Sequence, residues 1–182
     1  MKIPIKKLKA LILYFCTYTD TKFLGKVKLM KLFYFADFMH LKKYGAPITF
    51  DTYVNLEHGP IPSAIKNLVD TASDDIDNSV LADIISIEKP EGTEMCRIVG
   101  LRGFSDSDTK IFSKAELDTL KKVCIRFADK NTKFIEEASH SESPWLKTNF
   151  LDTIPYSLAL EDSDCQTSEE ELRLLEDMIC RR

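Results

Sequence analysis

The fold of this chain is decided by residues 28–63, KLMKLFYFADFMHLKKYGAPITFDTYVNLEHGPIPS. The first half of this stretch has the pattern of an amphipathic helix, because Leu29, Leu32, Phe33 and Ala36 recur at the spacing of one buried helical face. Further apolar side chains flank that face, so the helix is apolar over more than half of its circumference. Such a pattern is typical of a central helix with neighbours on two sides.

Glycine and proline mark the end of this helix and the start of the next. Gly45 stops the helix and Pro47 prevents it from resuming. Residues 48–56 are rich in Thr, Phe, Tyr and Val, which predicts a short strand or an extended wrap over the core. The stretch then closes on the connector His58-Gly59-Pro60-Ile61-Pro62, whose last proline suits the first turn of a following helix.

Length and composition indicate a globular protein without a membrane segment. The 182 residues fit one domain, or one domain with an added segment, and 44% apolar and 30% charged residues are ordinary values for a soluble protein. No apolar run approaches the ~18 residues of a membrane span. Residues 10–16, ALILYFC, precede no small-residue cleavage site and are predicted to be part of a core helix. Five scattered cysteines without a CxxC pair favour reduced thiols in a cytoplasm.

The charge is distributed unevenly along the chain. Residues 1–45 hold ten basic and two acidic residues, and the remainder holds 15 and 27, so the two parts carry +8 and −12. Two interpretations are open: solvated faces of opposite charge, or a dipolar surface that steers charged partners. Nucleic-acid binding is disfavoured, because the basic part carries only lysines and shows no stacking signature.

The remaining segments predict a mainly α fold of the α+β class, a compact helical domain around a central buried helix with a small antiparallel β element. Residues 1–160 form this domain, and residues 161–182 form an acidic linker and a C-terminal helix. The predicted elements are helices over 5–18, 27–43, 61–72, 113–127, 132–138 and 168–180, a hairpin of 84–87 with 96–99, loops over 102–110 and 139–145, an extended segment over 154–158 and a linker over 162–167.

The histidines are the first candidates for chemistry. Neither HxxxH nor HExxH occurs, so no zinc site is predicted, and His40 beside the central helix's apolar face is assigned to packing or to the rim. Glu57-His58 and His140-x-Glu142 would form a carboxylate–histidine pair if their loops meet, and a structural or recognition role is favoured over catalysis. No P-loop or GxGxxG is present, and we predict no cofactor and no bound metal.

Two further features have open alternatives. Trp145 follows Pro144 and is either an ordinary core aromatic or a binding hot spot. The last predicted helix carries three glutamates at its start, which suit the positive end of a helix. It is either a solvated helix or a partner-binding one.

Four segments stand in order along the chain: KLMKLFYFA at 28–36, YGAPI at 44–48, HGPIP at 58–62 and SHSESPW at 139–145. In the same order they resemble the motifs K-L-x-K-L-L-Y-x-A, Y-G-x-P-L, Y-G-P-V-x-P and S-H-x-E-x-P-W of the Panacea domain, the SocA-like and phage-associated GepA-like antitoxin family. The similarity runs from the first helix to Tyr156. His58 stands where the family often has tyrosine, and the tail from Asp162 lies outside the resemblance.

The resemblance implies a mostly helical domain with a small antiparallel β element, which agrees with the elements predicted from the residues. It also implies a non-enzymatic antitoxin that neutralises a neighbouring toxin by direct protein binding. Some relatives are thought to hand the toxin to a cellular protease. We therefore predict a cytoplasmic antitoxin whose partner is a cognate toxin protein, docked on two proline-bearing bends.

The predicted partner-binding residues all lie in the last two motif segments, and much of the motif is expected to maintain the fold, with the partner surface lying partly elsewhere. These residues are His58, Gly59, Pro60, His140, Glu142, Pro144 and Trp145. Three alternatives are kept: a metal-dependent or acid–base hydrolase using Glu57, His58, His140 and Glu142, a protease adaptor that delivers the toxin, and a DNA-binding regulator.

Overall fold

A computed structural model describes residues 3–180, except for the side chains of residues 176 and 178–180. Helices dominate and the strands form small antiparallel sheets, which confirms the predicted fold class. The elements in chain order are α1 (Ile5–Tyr18), a 3-10 turn (Thr21–Phe23), α2 (Lys26–Tyr44), β1 (Tyr53–Leu56), β2 (Gly59–Pro62), α3 (Ser63–Asp74), β3 (Ile85–Glu88), β4 (Arg97–Gly100), α4 (Asp106–Thr109), α5 (Lys114–Phe127), α6 (Thr132–His140), α7 (Ser143–Leu146), β5 (Thr153–Ile154), a second 3-10 turn (Tyr156–Glu161) and α8 (Glu169–Cys180).

The central helix α2 is buried on nearly every face, whereas its sequence predicts an apolar surface over more than half of its circumference and neighbours on two sides. It packs against α5, α6 and β2, and its apolar residues belong to a single core. Gly45 ends the helix in the left-handed conformation with φ 74°, and its N–H donates to the carbonyl of Leu41. A local glycine signal therefore sets the end of the element around which the chain is built.

The connector predicted over residues 58–62 is a strand in the structure. Gly59–Pro62 pairs antiparallel with β1, from Leu56 opposite Gly59 to Tyr53 opposite Pro62. The strand order is β2-β1-β5, so the proline-bearing strand lies at an edge of the sheet. Proline has no N–H to donate, and an edge position tolerates that loss. The hairpin predicted around residues 89–92 is confirmed as β3 paired with β4.

Two predicted loops are partly helical. Within residues 102–110, Ser105 and Asp108 form a capping box that starts α4. Within residues 139–145, α6 continues to His140, and α7 then begins with Pro144 in its first turn. The segment predicted as extended over 154–158 is β5 followed by a 3-10 turn. Helices α4 and α7 are too short for periodicity to reveal. A capping box supports α4, and a proline in the first turn supports α7.

A fully buried carboxylate holds the extended segment after α2. Asp37 accepts hydrogen bonds from the backbone N–H groups of Ile48 and Thr49, both at 2.8 Å, and from the hydroxyls of Thr49 and Tyr53. Burial raises the pKa of Asp37 to about 6, although these hydrogen bonds oppose the rise. The extended segment that follows α2 is therefore fixed to the central helix at Asp37.

The residues between the second 3-10 turn and α8 pack against the end of α2. The carbonyl of Lys42 accepts from the N–H groups of Gln166 and Thr167 at 2.7 and 3.1 Å. Leu172 of α8 is buried. Cys16, Cys96, Cys124 and Cys165 are free thiols. No helix within residues 3–180 is long and apolar enough to cross a membrane.

Candidate functional site

The motif segments meet at α2, which contacts both β2 of the β1–β2 hairpin and α6. The ammonium of Lys31 donates to the carbonyl of Pro60 at 2.8 Å. The hydroxyl of Tyr34 donates to Glu142 Oε2 at 2.8 Å, and the ammonium of Lys42 lies 3.2 Å from Glu142 Oε1. One helix thus anchors the hairpin through one side chain and α7 through two others.

Lys31 is a lysine enclosed by the core, with no solvent exposure. Burial lowers its pKa to about 7, and the nearby carboxylate of Glu136 counteracts part of this shift. Its position one helical turn from Lys28 puts both ammonium groups on the same face of α2. Lys28 donates to the carbonyls of Ala128 and Lys130, which follow α5, at 3.0 and 2.6 Å.

Gly59 is the tightest point of the site. Its φ is +92°, a region that residues with a Cβ rarely adopt, and a Cβ placed there would lie 2.8 Å from Ser139 Oγ and 2.9 Å from His140 Nε2. The hairpin therefore packs directly on the end of α6. This contact gives a physical reason for glycine at this position of the motif.

We expect Gly59→Ala to lower the free energy of unfolding by about 3 kcal/mol, because a strained φ and an overpacked contact act together. Gly92→Ala is the matched control: its φ is +73° and open space surrounds the added Cβ. The control should lose about 1 kcal/mol. Chemical denaturation of both variants measures the difference, and equal losses would show that the Ser139–His140 contact has no role.

His140 and Trp145 form a stacked pair beside this contact. Their ring centroids are 4.0 Å apart with an interplanar angle of 16°. Burial and the positive charge of Lys31 lower the pKa of His140, so the neutral imidazole is favoured at pH 7. Among the residues that the structure describes, His140 Nε2 and Trp145 Nε1 have no hydrogen-bond partner. The pair is held by packing against its neighbours.

Lys42 is the centre of a charged cluster at the other end of α2. Its side chain is 3% exposed, and its ammonium lies 2.8 Å from Asp162 and 3.0 Å from Asp164, in addition to Glu142. Burial opposes the charged form, but the three carboxylates raise the pKa of Lys42. Burial raises the pKa of Glu142, although Lys42 and Tyr34 counteract it. The cluster joins α2, α7 and the linker of residues 162–167.

The predicted partner-binding residues differ widely in exposure. Gly59, Pro60 and Pro144 are buried, and Glu142 is enclosed between Tyr34 and Lys42. His140 and Trp145 are partly buried. His58 is exposed at the tip of the hairpin, with its Nδ1 3.5 Å from Glu136 Oε1.

The two loops meet, but their acidic and imidazole groups face different neighbours. His58 approaches Glu136, Glu142 faces Lys42, and Glu57 is exposed. Within the described part of the chain, no three His, Cys, Asp or Glu side chains converge as a metal-binding group. His40, assigned to packing or the rim, is buried with its Nδ1 2.6 Å from the carbonyl of Ala46.

Sequence reasoning missed the buried lysines of α2. Periodicity counts lysine as polar and assigns none of Lys28, Lys31 and Lys42 to the buried face of the helix, whereas all three are buried. The available signal was lysine recurring inside an otherwise apolar helix. Their burial also removes three positive charges from the basic surface expected of residues 1–45.

A comparison with protein families gives one match. The family model described as "Antitoxin SocA-like, Panacea domain" matches residues 29–146. This range starts in α2, ends in α7 and includes all the residues predicted to bind a partner. No curated protein and no solved structure matches the chain.

Proposed function

Because the chain belongs to the SocA-like Panacea domain antitoxin family, we propose that it is the antitoxin of a toxin–antitoxin pair and neutralises a cognate protein toxin by binding it directly. The observation that carries this proposal is the junction of the hairpin with α6 and α7. Gly59 lies directly against Ser139 and His140, and the exposed Glu57-His58 tip stands beside that contact. The motif thus forms one rigid end of the domain.

Rigidity is what a direct binder needs at this end. The carbonyl of Pro60 is fixed by Lys31, and Glu142 is fixed by Tyr34 and Lys42. Since these groups are already ordered, binding loses little conformational entropy there. The accessible groups are Glu57, His58 and part of Trp145, and an aromatic ring beside charged groups is a common composition of binding surfaces.

The geometry supports binding better than hydrolysis. A general acid or base needs its proton-carrying atom within reach of a substrate. Here His140 Nε2 is buried against Gly59, and the carboxylate of Glu142 is already shared between Tyr34 and Lys42. Both groups are therefore used within the fold.

Co-expression with the product of the adjacent gene tests the proposal. Expression of that product alone should arrest growth, and co-expression of this chain should restore growth and yield a co-purified complex of fixed stoichiometry. The level of the toxin, followed by immunoblot, separates direct blocking, with the level unchanged, from delivery to a protease, with the level reduced. Absence of both rescue and complex would contradict the proposal.

A further inference from the structure

A second exposed feature follows the motif directly. Residues 146–152, which we term the apolar loop, carry three large apolar side chains that face solvent: Leu146 is 61% exposed, Phe150 62% and Leu151 64%. Single exposed apolar residues are ordinary on protein surfaces. Three of them within six residues, adjoining Trp145, are the kind of cluster that marks an interaction site.

Strand β1 holds the apolar loop in place. The side-chain amide of Asn55 donates to the carbonyls of Trp145 and Thr148 at 3.1 and 2.7 Å. The backbone carbonyl of Asn55 accepts from the N–H of Leu151 at 2.8 Å. The backbone N–H of Asn55 donates to the carbonyl of Asp152 at 3.0 Å. One buried asparagine thus connects both ends of the loop, which is ordered before any partner arrives.

Leu151 has a backbone conformation that does not suit leucine. Its φ is +72°, in the left-handed region where glycine and asparagine are common and a leucine is strained. Glycine or asparagine would make this turn more easily. A leucine there, with its side chain in solvent, points to a use of the side chain outside the chain's own fold.

The charges beside the loop indicate which partner fits. The pairing of Val54 with Thr153 places Asp152 near the end of β1, where Glu57 is exposed. Within residues 3–180, neither carboxylate forms an ion pair with a lysine or arginine. Asp152 accepts a hydrogen bond from the neutral side-chain amide of Asn149 at 3.0 Å, and Lys147 pairs with Glu161. Unpaired carboxylates favour a basic partner and disfavour nucleic acid and anionic membranes. A two-fold contact with a second copy would bring like charges together.

We propose that the apolar loop, with the neighbouring Glu57 and Asp152, is the surface that the toxin covers, and that the toxin presents an apolar pocket bordered by lysine or arginine. This inference rests on the proposed antitoxin function. The loop adjoins Trp145 through Leu146 and the hairpin tip through Asn55, so the motif and the loop form one binding face.

The double variant Phe150→Ser/Leu151→Asn tests the apolar part. Asparagine tolerates the left-handed conformation, so this change removes the leucine without straining the turn. We expect binding to the adjacent gene product, measured by biolayer interferometry, to weaken about thirtyfold or more, with a melting temperature equal to or slightly above that of the wild type. Ile125→Ser on α5, at a side chain 73% exposed, is the matched control and should bind like the wild type.

The charge-reversed variant Glu57→Lys/Asp152→Lys tests the predicted basic border. We expect its association rate to fall about tenfold at low salt, with a smaller difference at high salt. An unchanged rate at low salt would remove the basic border from the proposal.

The remaining outcomes separate the two proposals. If the wild type binds and neutralises while the double variant binds equally tightly, the docking inference is wrong and the antitoxin function stands. If the wild type neither binds nor restores growth, the proposed function is wrong and the inference falls with it. A dimer by light scattering that the double variant turns into a monomer would assign the loop to self-association and overturn the inference.

Discussion

Replacing Asp37 by alanine is expected to lower the free energy of unfolding by about 4 kcal/mol or more. The change leaves the buried N–H groups of Ile48 and Thr49 and the hydroxyl of Tyr53 without their acceptor. Each unsatisfied buried group costs about 1–3 kcal/mol. Because a domain of this size is stable by only about 5–15 kcal/mol, the variant should be poorly soluble or unfold at low denaturant.

Asp37→Asn and Asp77→Ala make this prediction specific. Asparagine keeps an oxygen that can accept from the two backbone N–H groups, so its loss should be about half that of alanine. Asp77 is exposed between α3 and β3, and its replacement should change stability by less than about 0.5 kcal/mol. Urea unfolding of the three variants measures the order of their stabilities. An unfolding midpoint of Asp37→Ala close to that of Asp77→Ala would show that the buried carboxylate does not hold the extended segment after α2 in place.

The same carboxylate predicts a pH dependence. Its folded-state pKa is raised to about 6 from an ordinary value of 3.8, so the folded protein takes up a proton that the unfolded chain still lacks. The wild type should therefore gain stability relative to Asp37→Asn as the pH falls from 7 to 4, by up to about 3 kcal/mol. Unfolding measured at several pH values tests the sign, and a difference that is constant or shrinks with acidification would contradict it.

Replacing Lys42 by alanine is expected to cost about 3–5 kcal/mol of stability. The variant leaves Glu142, Asp162 and Asp164 close together without the cation that lies within 3.2 Å of each. Repulsion between the carboxylates and the burial of Glu142 then both oppose folding. Since Glu142 is the N-cap of α7 and Asp162 lies at the start of the linker of residues 162–167, we expect α7 and the linker to loosen from α2.

Lys43→Ala is the matched control. Lys43 is the next residue in the chain, its side chain is 40% exposed, and its ammonium lies 3.7 Å from Asp118. An exposed pair of this kind contributes little to stability, because solvent screens it. The double variant Lys42→Met/Glu142→Gln removes two opposite charges together and should be more stable than the sum of the single changes predicts. Hydrogen exchange of α7 reports the loosening directly. Equal protection of α7 in the Lys42 and Lys43 variants would show that the cluster does not anchor this helix.

Much of the fold was predictable because its signals are local. The apolar period of α2, the glycine at residue 45 and the capping box that starts α5 each act within one or two helical turns. Short elements were missed where a cap or an edge position outweighed the pattern, as in α4 and β2. The motif resemblance also led to the family that the comparison shows.

The candidate site was predictable only as a set of positions. The sequence placed Gly59, Glu142 and Trp145 in one motif set, but it did not indicate that Glu142 would be enclosed or that Trp145 would stack on His140. The spacing of the motif residues along the chain does not distinguish the residues that are partly exposed from those that are fully buried. The enclosure of Glu142 depends on Tyr34, 108 residues earlier in the chain, and local propensities do not encode contacts between such distant segments.

Alone, then, the amino-acid order determined the central helix, its glycine stop and the elements on either side, because backbone hydrogen bonding and apolar periodicity operate between near neighbours. Tertiary packing decided which polar side chains of that helix meet which carbonyls and carboxylates: Lys31 with Pro60, Lys42 with Asp162, and Asp37 with Thr49. It also decided that the apolar loop faces solvent. A buried charge is stable only where distant segments supply its partners, so its place follows from the completed fold.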